Sequence, residues 1–250
     1  MSGILYIVGL GPADERWLTL EAQEALAQAQ DIIGYEPYVA RAPIREGQIR
    51  LASDNRVEID RARESLERTA QGRIVAVVSG GDPGVFAMAA AVFEAVDHGP
   101  KEWRGLDIRV LPGVSAMQAA AARLGAPLGH DFCAVSLSDN LKPWDVIEKR
   151  LEHAARGDFV IALYNPASRA RPTRIIDAFA LLRRFLPGST FVGLAKSVGR
   201  EKEEIILTTL EEVDASQIDM STLVVIGASG TKRIVRESAR DWVYTSRKAE

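Results

Sequence analysis

Short apolar runs alternate along the chain with longer stretches whose apolar positions recur every three to four residues. The short runs are rich in β-branched residues and predict strands, whereas the longer stretches predict helices. In the first half the predicted strands are Ile4–Val8, Ile74–Ser79 and Asp107–Leu111. The predicted helices there are Thr19–Ala29, Arg56–Ala70, Val85–Val96 and Ser115–Leu124. Apolar runs that glycines flank and helices separate indicate a parallel sheet covered on both faces.

The second half begins where this pattern breaks. Gly125–Asp131 holds two glycines and a proline, so we interpret it as a hinge. The strands predicted beyond it are Phe132–Leu137, Phe159–Tyr164, Phe191–Ala195, Ile205–Thr209 and Leu223–Ile226. The predicted helices are Trp144–Ala155 and a stripe through Ile175, Phe179, Leu182 and Leu186. Short turns between the last three strands favour a mixed sheet, and the charged tail from Thr231 is expected to fray.

We therefore predict an α/β protein with two α/β domains. Residues 1–124 form an N-terminal domain with a parallel sheet, and residues 125–250 form a C-terminal domain with a mixed sheet. Parallel sheets of this kind bind ligands at the carboxyl ends of their strands. The loops at those ends are therefore the places to look for chemistry.

Composition narrows the class of protein. The chain is 47% apolar, enough for a folded core, and its formal charge of −3 argues against a nucleic-acid partner. The longest apolar run, Val85–Phe93, is nine residues and falls short of the ~20 that a membrane-spanning helix needs. Met1–Leu10 does not read as a signal peptide. The single cysteine, Cys133, cannot form an internal disulfide, which fits the reducing cytoplasm.

The first candidate loop is Gly9-Leu10-Gly11-Pro12, directly after a predicted strand. It resembles the opening of a dinucleotide-binding fingerprint, which would suit an NAD(P)-dependent oxidoreductase. However, no third glycine follows at the required spacing, and no acidic residue ends a second strand. Pro12 also lacks the N–H that would bind a phosphate. A tight turn at the end of a strand explains the same residues without any ligand.

Two further glycine loops follow predicted strands. In Ser79-Gly80-Gly81-Asp82-Pro83-Gly84-Val85-Phe86, a helix that starts at Asp82-Pro83 explains those two residues, but not the paired glycines before them. In Pro112-Gly113-Val114-Ser115-Ala116, Ser115 could simply cap the next helix. Together the loops would expose backbone groups to a ligand with small polar parts, such as an amino acid or a nucleoside. A phosphate-binding P-loop is excluded because its motif is missing.

The histidines do not form a metal site. His98, His130 and His153 are far apart in sequence and lack ligand spacing, so we expect no metal. His130, beside Asp131 in the predicted hinge, is the one histidine with a possible functional position. Tyr35, in Gly34-Tyr35-Glu36-Pro37-Tyr38, is either a core residue or part of a flat apolar contact surface.

These loops, in this order, resemble the tetrapyrrole (corrin and porphyrin) methyltransferase family. The matching segments are GLGP at 9–12, GGDPGVF at 80–86, PGVSA at 112–116 and the strand Leu223–Gly227. Further segments resemble one branch, the precorrin-3B 17-methyltransferases of cobalamin biosynthesis. They are GYEPYV at 34–39, LGHDFCAVSLSDNLKPW at 128–144, YNPASRARP at 164–172 and LAKSVGREKE at 194–203. The branch often has other residues where Glu36-Pro37 stands.

The resemblance implies that S-adenosylmethionine binds in a cleft between the two domains and leaves as S-adenosylhomocysteine. It also implies a homodimer. The residues that it assigns to the cofactor from the first domain are Pro12, Gly80, Gly81, Asp82, Val85, Ser115 and Ala116. The residues that it assigns from the second domain are Asn165, Ala195, Ser221 and Thr222.

The implied reaction is methylation at carbon 17 of precorrin-3B, coupled to contraction of the macrocycle to precorrin-4. Ring contraction requires proton movement, for which His130 and Asp139 are the candidates. A precorrin carries many carboxylates, which arginines bind well. The predicted substrate-binding residues are Tyr35, Arg169, Arg171 and Arg174.

Four other functions stay open at this point. A non-enzymatic regulatory module that senses the nucleoside is the least favoured, since no segment resembles an effector domain. A sister enzyme acting on another precorrin or on a cobalt-containing intermediate would share all three loops. A methyltransferase acting on ribosomal RNA would also share them, although the acidic balance disfavours it. An NAD(P)-dependent oxidoreductase would share only the first loop.

Overall fold

The computed structural model describes residues 3–54, 57–167 and 172–248 and confirms the α/β class. The chain divides into two compact units, Met1–Ala116 and Met117–Glu250. The boundary predicted from the sequence lies after residue 124, at the end of the helix Ala116–Leu124. The boundary between the two compact units lies at the start of the same helix. No helix among the described residues is long and apolar enough to cross a membrane.

The first unit is built on a five-stranded sheet in which every pair of neighbouring strands is parallel. Its strands are β1 (Ile4–Gly9), β2 (Asp31–Tyr35), β3 (Ile49–Ser53), β4 (Ile74–Ser79) and β5 (Asp107–Leu111), in the order β3-β2-β4-β1-β5. Its helices are α1 (Leu20–Gln28), α2 (Glu36–Arg41), α3 (Glu58–Ala70) and α4 (Met88–His98). Helix α5 (Ala116–Leu124) begins at the last residue of this unit and continues into the second. The sequence pattern missed β2, α2 and β3.

Alternation along the strands builds a core on each face of this sheet. Leu5 and Ile7 of β1 lie in one apolar cluster, and Tyr6 and Val8 lie in the other. The first cluster includes residues of α3 and α4, and the second includes residues of α1 and α2. Because successive strand residues point to opposite faces, a parallel sheet covered on both sides needs such apolar runs. Helix α1 begins as predicted, with Thr19 Oγ1 accepting a hydrogen bond from the Ala22 amide at 3.1 Å.

The second unit contains a mixed five-stranded sheet and a small three-stranded sheet. Its elements are β6 (Gly125–Ala126), β7 (Phe132–Ser136), α6 (Trp144–Arg156), β8 (Val160–Tyr164), α7 (Arg174–Leu182), β9 (Phe191–Lys196), β10 (Glu204–Thr209), β11 (Thr222–Ile226), β12 (Thr231–Ile234) and β13 (Trp242–Thr245). The larger sheet has the order β10-β9-β11-β8-β7, and only β7 and β8 pair in parallel.

The expectation that the tail frays from Thr231 is wrong. Strands β12 and β13 form an antiparallel pair, and β13 also pairs with β6, which lies inside the predicted hinge. Arg233 and the nearly buried Asp241 form an ion pair across this hairpin, and Val243 is fully buried. The charges that suggested a solvated tail are therefore partly neutralised within a small sheet.

A buried carboxylate holds the start of β2 in the first sheet. Asp31 is fully buried, and both of its oxygens accept hydrogen bonds from Arg73, with Arg68 at 3.5 Å. A buried carboxylate is tolerated only when it is paired in this way, and removal of one partner typically costs ~3–5 kcal/mol. This ion pair explains how a strand that begins with aspartate can lie inside the sheet, with a neighbouring strand on each side.

We predict that Arg73→Leu lowers the free energy of unfolding strongly, because Asp31 would be left buried without its main partner. The matched control is Arg109→Leu. It removes a bidentate ion pair with Asp107, and this pair lies on the surface. That change should lower the free energy of unfolding clearly less, because solvent screens an exposed pair. Urea denaturation of both variants measures the difference, and equal losses would contradict the role given to Asp31.

Candidate functional site

The three glycine loops meet at the carboxyl ends of the neighbouring strands β4, β1 and β5. Gly11 and Gly81 form an antiparallel bridge, with Gly81 N donating to Gly11 O at 2.8 Å and Gly11 N donating to Gly81 O at 3.1 Å. Gly113 packs against both neighbouring loops: a Cβ there would lie 2.4 Å from Gly81 O and 2.9 Å from Gly9 Cα. A Cβ on Gly9 would lie 2.7 Å from Gly113 N. Side chains at these positions would force the loops apart.

This geometry accounts for glycines that local turn chemistry left unexplained. Gly11 has φ +64° and Gly81 has φ +69°, both in the left-handed region that glycine adopts without strain. A Cβ on Gly80 would lie 2.6 Å from the ring of Tyr38. The bridge also commits the Gly11 amide to Gly81, which argues against the phosphate-binding role of a dinucleotide fingerprint.

Asp82 ties the second loop to the third. Its Oδ1 accepts from Gly84 N at 2.8 Å, and its Oδ2 accepts from Gly113 N at 3.1 Å. The interpretation of Asp82-Pro83 as a helix start is therefore wrong, since α4 begins only at Met88. The turn between them contains Phe86 with φ +53° and a half-exposed side chain. Asp82 thus fixes the spacing of two loops.

The predicted cofactor residues of the first unit flank this junction. Pro12 is buried, and its carbonyl accepts from Arg41 Nη1 at 3.4 Å. Val85 is half-buried, and its amide donates to Asp82 O at 3.3 Å. Ser115 is buried directly before α5, and Ala116 is the first residue of that helix. All of the first-unit residues assigned to the cofactor therefore lie at one edge of the sheet.

Helix α2 supports the same edge, although the sequence pattern did not predict it. Arg41 donates through Nη2 to the carbonyl of Gly11 at 2.7 Å and to that of Leu10 at 3.3 Å. Tyr38 packs beneath Gly80 and meets the ring of Tyr35 edge-on, with centroids 5.4 Å apart. The GYEPYV segment signalled tyrosines, but nothing in it showed that Arg41 binds a loop some thirty residues earlier.

In the second unit the predicted cofactor residues also share one sheet edge. Asn165 follows β8 with φ +53°, and its Nδ2 donates to Ser136 Oγ at 3.0 Å at the end of β7. Ala195 is buried in β9 opposite Leu223, one position from the end of that strand. Thr222 starts β11 and lies opposite Lys196. These residues sit on strands β7, β8, β9 and β11, which are neighbours in the sheet.

Asp219 organises the turn that carries Ser221 and Thr222, and sequence reasoning missed it. Its Oδ1 accepts from Ser221 N at 2.8 Å and from Ser221 Oγ at 2.6 Å, while Lys196 Nζ lies 2.6 Å from its Oδ2. Partial burial would raise the pKa of Asp219, but these hydrogen bonds lower it to about 2. The turn therefore keeps a carboxylate throughout the neutral range.

The predicted acid–base and substrate residues differ in how strongly neighbouring side chains hold them. Asp139 Oδ2 accepts from Arg174 Nη2 at 2.7 Å and Nε at 3.0 Å, and the guanidinium stacks on Trp144 at 4.5 Å. Arg174 also lies 3.3 Å from Asp177, so carboxylates of the protein already occupy it. The hydrogen bonds that Arg174 donates to Asp139 raise the pKa of Arg174.

The other predicted residues of these two groups are less constrained. His130 Nδ1 lies 3.8 Å from Asp131 Oδ2, and its side chain is one-third exposed. Arg169 and Arg171 lie outside the described residues. Within the described ranges, no group of three or more histidine, cysteine, aspartate or glutamate side chains could hold a metal ion.

Comparison with known proteins agrees with this arrangement. The family described as Tetrapyrrole (Corrin/Porphyrin) Methylases matches residues 4–214. A Sinorhizobium protein named precorrin-3B C(17)-methyltransferase is 55% identical over 247 residues, which cover 99% of this chain and 97% of that protein.

Two solved structures extend the likeness. The crystal structure of the methyltransferase CobJ matches with a TM-score of 0.93 and 49% identity, covering 98% of this chain and all of that one. The uroporphyrin-III C-methyltransferase of Thermus thermophilus, solved with S-adenosylhomocysteine, matches at TM-score 0.66 and 26% identity, covering 90% and 97%. Two sheets with glycine loops at one strand edge, and matches that run almost end to end, place this chain in the tetrapyrrole methylase family.

Proposed function

We propose that this chain transfers a methyl group from S-adenosylmethionine to carbon 17 of precorrin-3B and contracts the macrocycle to precorrin-4 in cobalamin biosynthesis. The observation that carries the proposal is the junction of three glycine loops at the carboxyl ends of β4, β1 and β5. The full-length likeness to the Sinorhizobium precorrin-3B C(17)-methyltransferase supports the choice of substrate. We further propose that the enzyme works as a homodimer in the cytoplasm.

The loop junction fits a compact ligand with an amino-acid end and a ribose. Glycines at 80, 81 and 113 leave the backbone bare, and Asp82 holds the second and third loops at a fixed spacing. We assign Pro12, Ser115 and Ala116 to the same ligand because they flank the junction. The edge formed by Asn165, Ala195, Ser221 and Thr222 is assigned to the adenine. The Thermus relative solved with S-adenosylhomocysteine supports this choice of ligand.

For methyl transfer, the main task of the protein is to align the two reactants. S-adenosylmethionine supplies an electrophilic methyl group on a sulfonium, and the product thioether is neutral. No residue therefore needs to stabilise a developing anion on the leaving group. Holding two reactants in line can contribute ~7–11 kcal/mol, and rigid loops built on a parallel sheet suit that task.

Ring contraction asks for a proton-transfer group. His130 is partly exposed, and a histidine side chain can both donate and accept a proton, so it suits the role of a proton donor. Asp139 is paired with Arg174, and such a pair favours a carboxylate, which accepts protons. We propose these two residues as the acid–base candidates.

The proposal is tested by incubating the purified protein with methyl-labelled S-adenosylmethionine and a panel of precorrins, with and without cobalt. We expect label in one product only, with the mass of a methylated, ring-contracted precorrin-3B. Preference for the cobalt-containing compound would assign the chain to the sister reaction. No transfer to any tetrapyrrole would contradict the proposed function.

We predict that Asp82→Asn weakens the binding of S-adenosylhomocysteine about tenfold or more. The amide can accept only one of the two backbone hydrogen bonds, so the second and third loops would lose their fixed spacing. Isothermal titration calorimetry measures the affinity, and the exposed Asp97→Asn is the control. Equal affinity of both variants for this ligand would show that the Asp82 contacts do not shape the site.

We predict that His130→Ala or Asp139→Asn separates the two chemical steps. Methylation needs alignment only, whereas contraction needs proton movement, so the affected variant should accumulate a methylated but uncontracted macrocycle. Mass and absorption spectra of the product report this directly. Normal product at a normal rate from both variants would remove them as acid–base candidates and point to the carboxylates of the substrate itself.

A further inference from the structure

Arg61 is a buried cation without a carboxylate partner. It lies near the start of α3 and is only 4% exposed. Its guanidinium donates to three neutral acceptors: Ser53 Oγ at 3.0 Å, Asp54 O at 2.6 Å and Met88 Sδ at 3.4 Å. No carboxylate of the described ranges lies within ion-pair distance of it. Burial lowers the pKa of Arg61, although the more distant charges of Glu58 and Asp54 oppose this.

Several other arginines of the described ranges do have a carboxylate partner. Arg73 is paired with Asp31, Arg123 with Glu203 and Arg174 with Asp139. A buried charge without a counterion costs free energy that a protein normally avoids. A thioether is also a weak acceptor for one arm of a guanidinium. An anion that reached the guanidinium would supply the counterion that its neutral partners do not.

The residues around Arg61 connect it to the candidate site. Ser53 ends β3 and lies directly opposite Tyr35, which ends β2. Met88 opens α4 immediately after the glycine loop, and its amide donates to Ser79 Oγ at 3.4 Å. Ser53 is only half-buried and Asp54 is exposed, so the guanidinium lies just beneath the surface. The cation therefore sits beside the tyrosines of the site and next to the loop that carries Gly80 and Gly81.

We propose that Arg61 binds a peripheral carboxylate of the tetrapyrrole substrate, with Tyr35 as the adjoining aromatic contact. This inference rests on the proposed function, since it assigns an anchor for that same substrate. An acetate or propionate arm is slender enough to reach a guanidinium just beneath the surface, and an aromatic ring beside it can contact the macrocycle. Arg174, by contrast, already has two protein carboxylates as partners.

The test compares Arg61→Met with Arg63→Met, an exposed arginine of the same helix. We expect Arg61→Met to raise the KM for precorrin-3B about ten- to hundredfold, with kcat and the affinity for S-adenosylhomocysteine unchanged. Arg63→Met should leave all three values as in the wild type. Arg61→Lys, which keeps the charge but loses the planar fork, should recover part of the KM. If Arg61→Met does not fold, Arg61→Lys serves as the test variant.

A substrate with its carboxylates converted to amides separates binding from a structural role. The proposal predicts that the KM ratio between variant and wild type falls to about one with this compound, because no carboxylate is left to lose. A ratio that stays the same for acid and amide, or a parallel loss of S-adenosylhomocysteine affinity, would show that Arg61 only braces the fold. If the wild type binds S-adenosylhomocysteine and transfers methyl, but Arg61→Met has the same KM as the wild type, this inference alone is overturned. Wild-type protein that neither binds it nor transfers methyl overturns the proposed function.

Discussion

The close backbone approach of three strand-end loops is the constraint on which the candidate site depends. Gly9, Gly81 and Gly113 touch through their main chains, and a Cβ on Gly113 would lie 2.4 Å from the Gly81 carbonyl. Such contact is possible only because β4, β1 and β5 are adjacent and parallel, so that their carboxyl ends reach the same edge. The sheet sets the spacing, and Asp82 and Arg41 then fix the loops by hydrogen bonds to backbone groups.

The sequence located this edge because its signals are local. Apolar runs followed by glycine mark strand ends, and a glycine more than a turn requires marks a close approach. The sequence analysis failed where a residue that fits a local capping rule makes a long-range contact instead. Asp82-Pro83 has the chemistry of a helix start, yet the carboxylate binds Gly84 and a loop some thirty residues away, and α4 begins at Met88. Capping rules cannot see a partner at that distance.

The elements that were missed depend on distant partners in the same way. Strand β2 opens with an aspartate and contains a glycine, which disfavours a strand, but Asp31 is neutralised by Arg73 and Arg68. The C-terminal hairpin appeared solvated because it is charged, yet Arg233 pairs with Asp241 and β13 pairs with β6. Asp219, Arg41 and Arg61 escaped notice for the same reason, since their roles come from contacts that no spacing along the chain encodes.

Each unit presents one strand edge that carries residues assigned to the cofactor. The first presents a rigid backbone junction, and the second presents a sheet edge where Asn165 and the Asp219 turn are held by side-chain hydrogen bonds. Amide hydrogen exchange with and without S-adenosylhomocysteine tests the central claim most directly. The account predicts that exchange slows on binding at residues 9–12, 80–87 and 112–116, while Ile49–Ser53 is unchanged. Slowed exchange elsewhere, with these three loops unaffected, would contradict it.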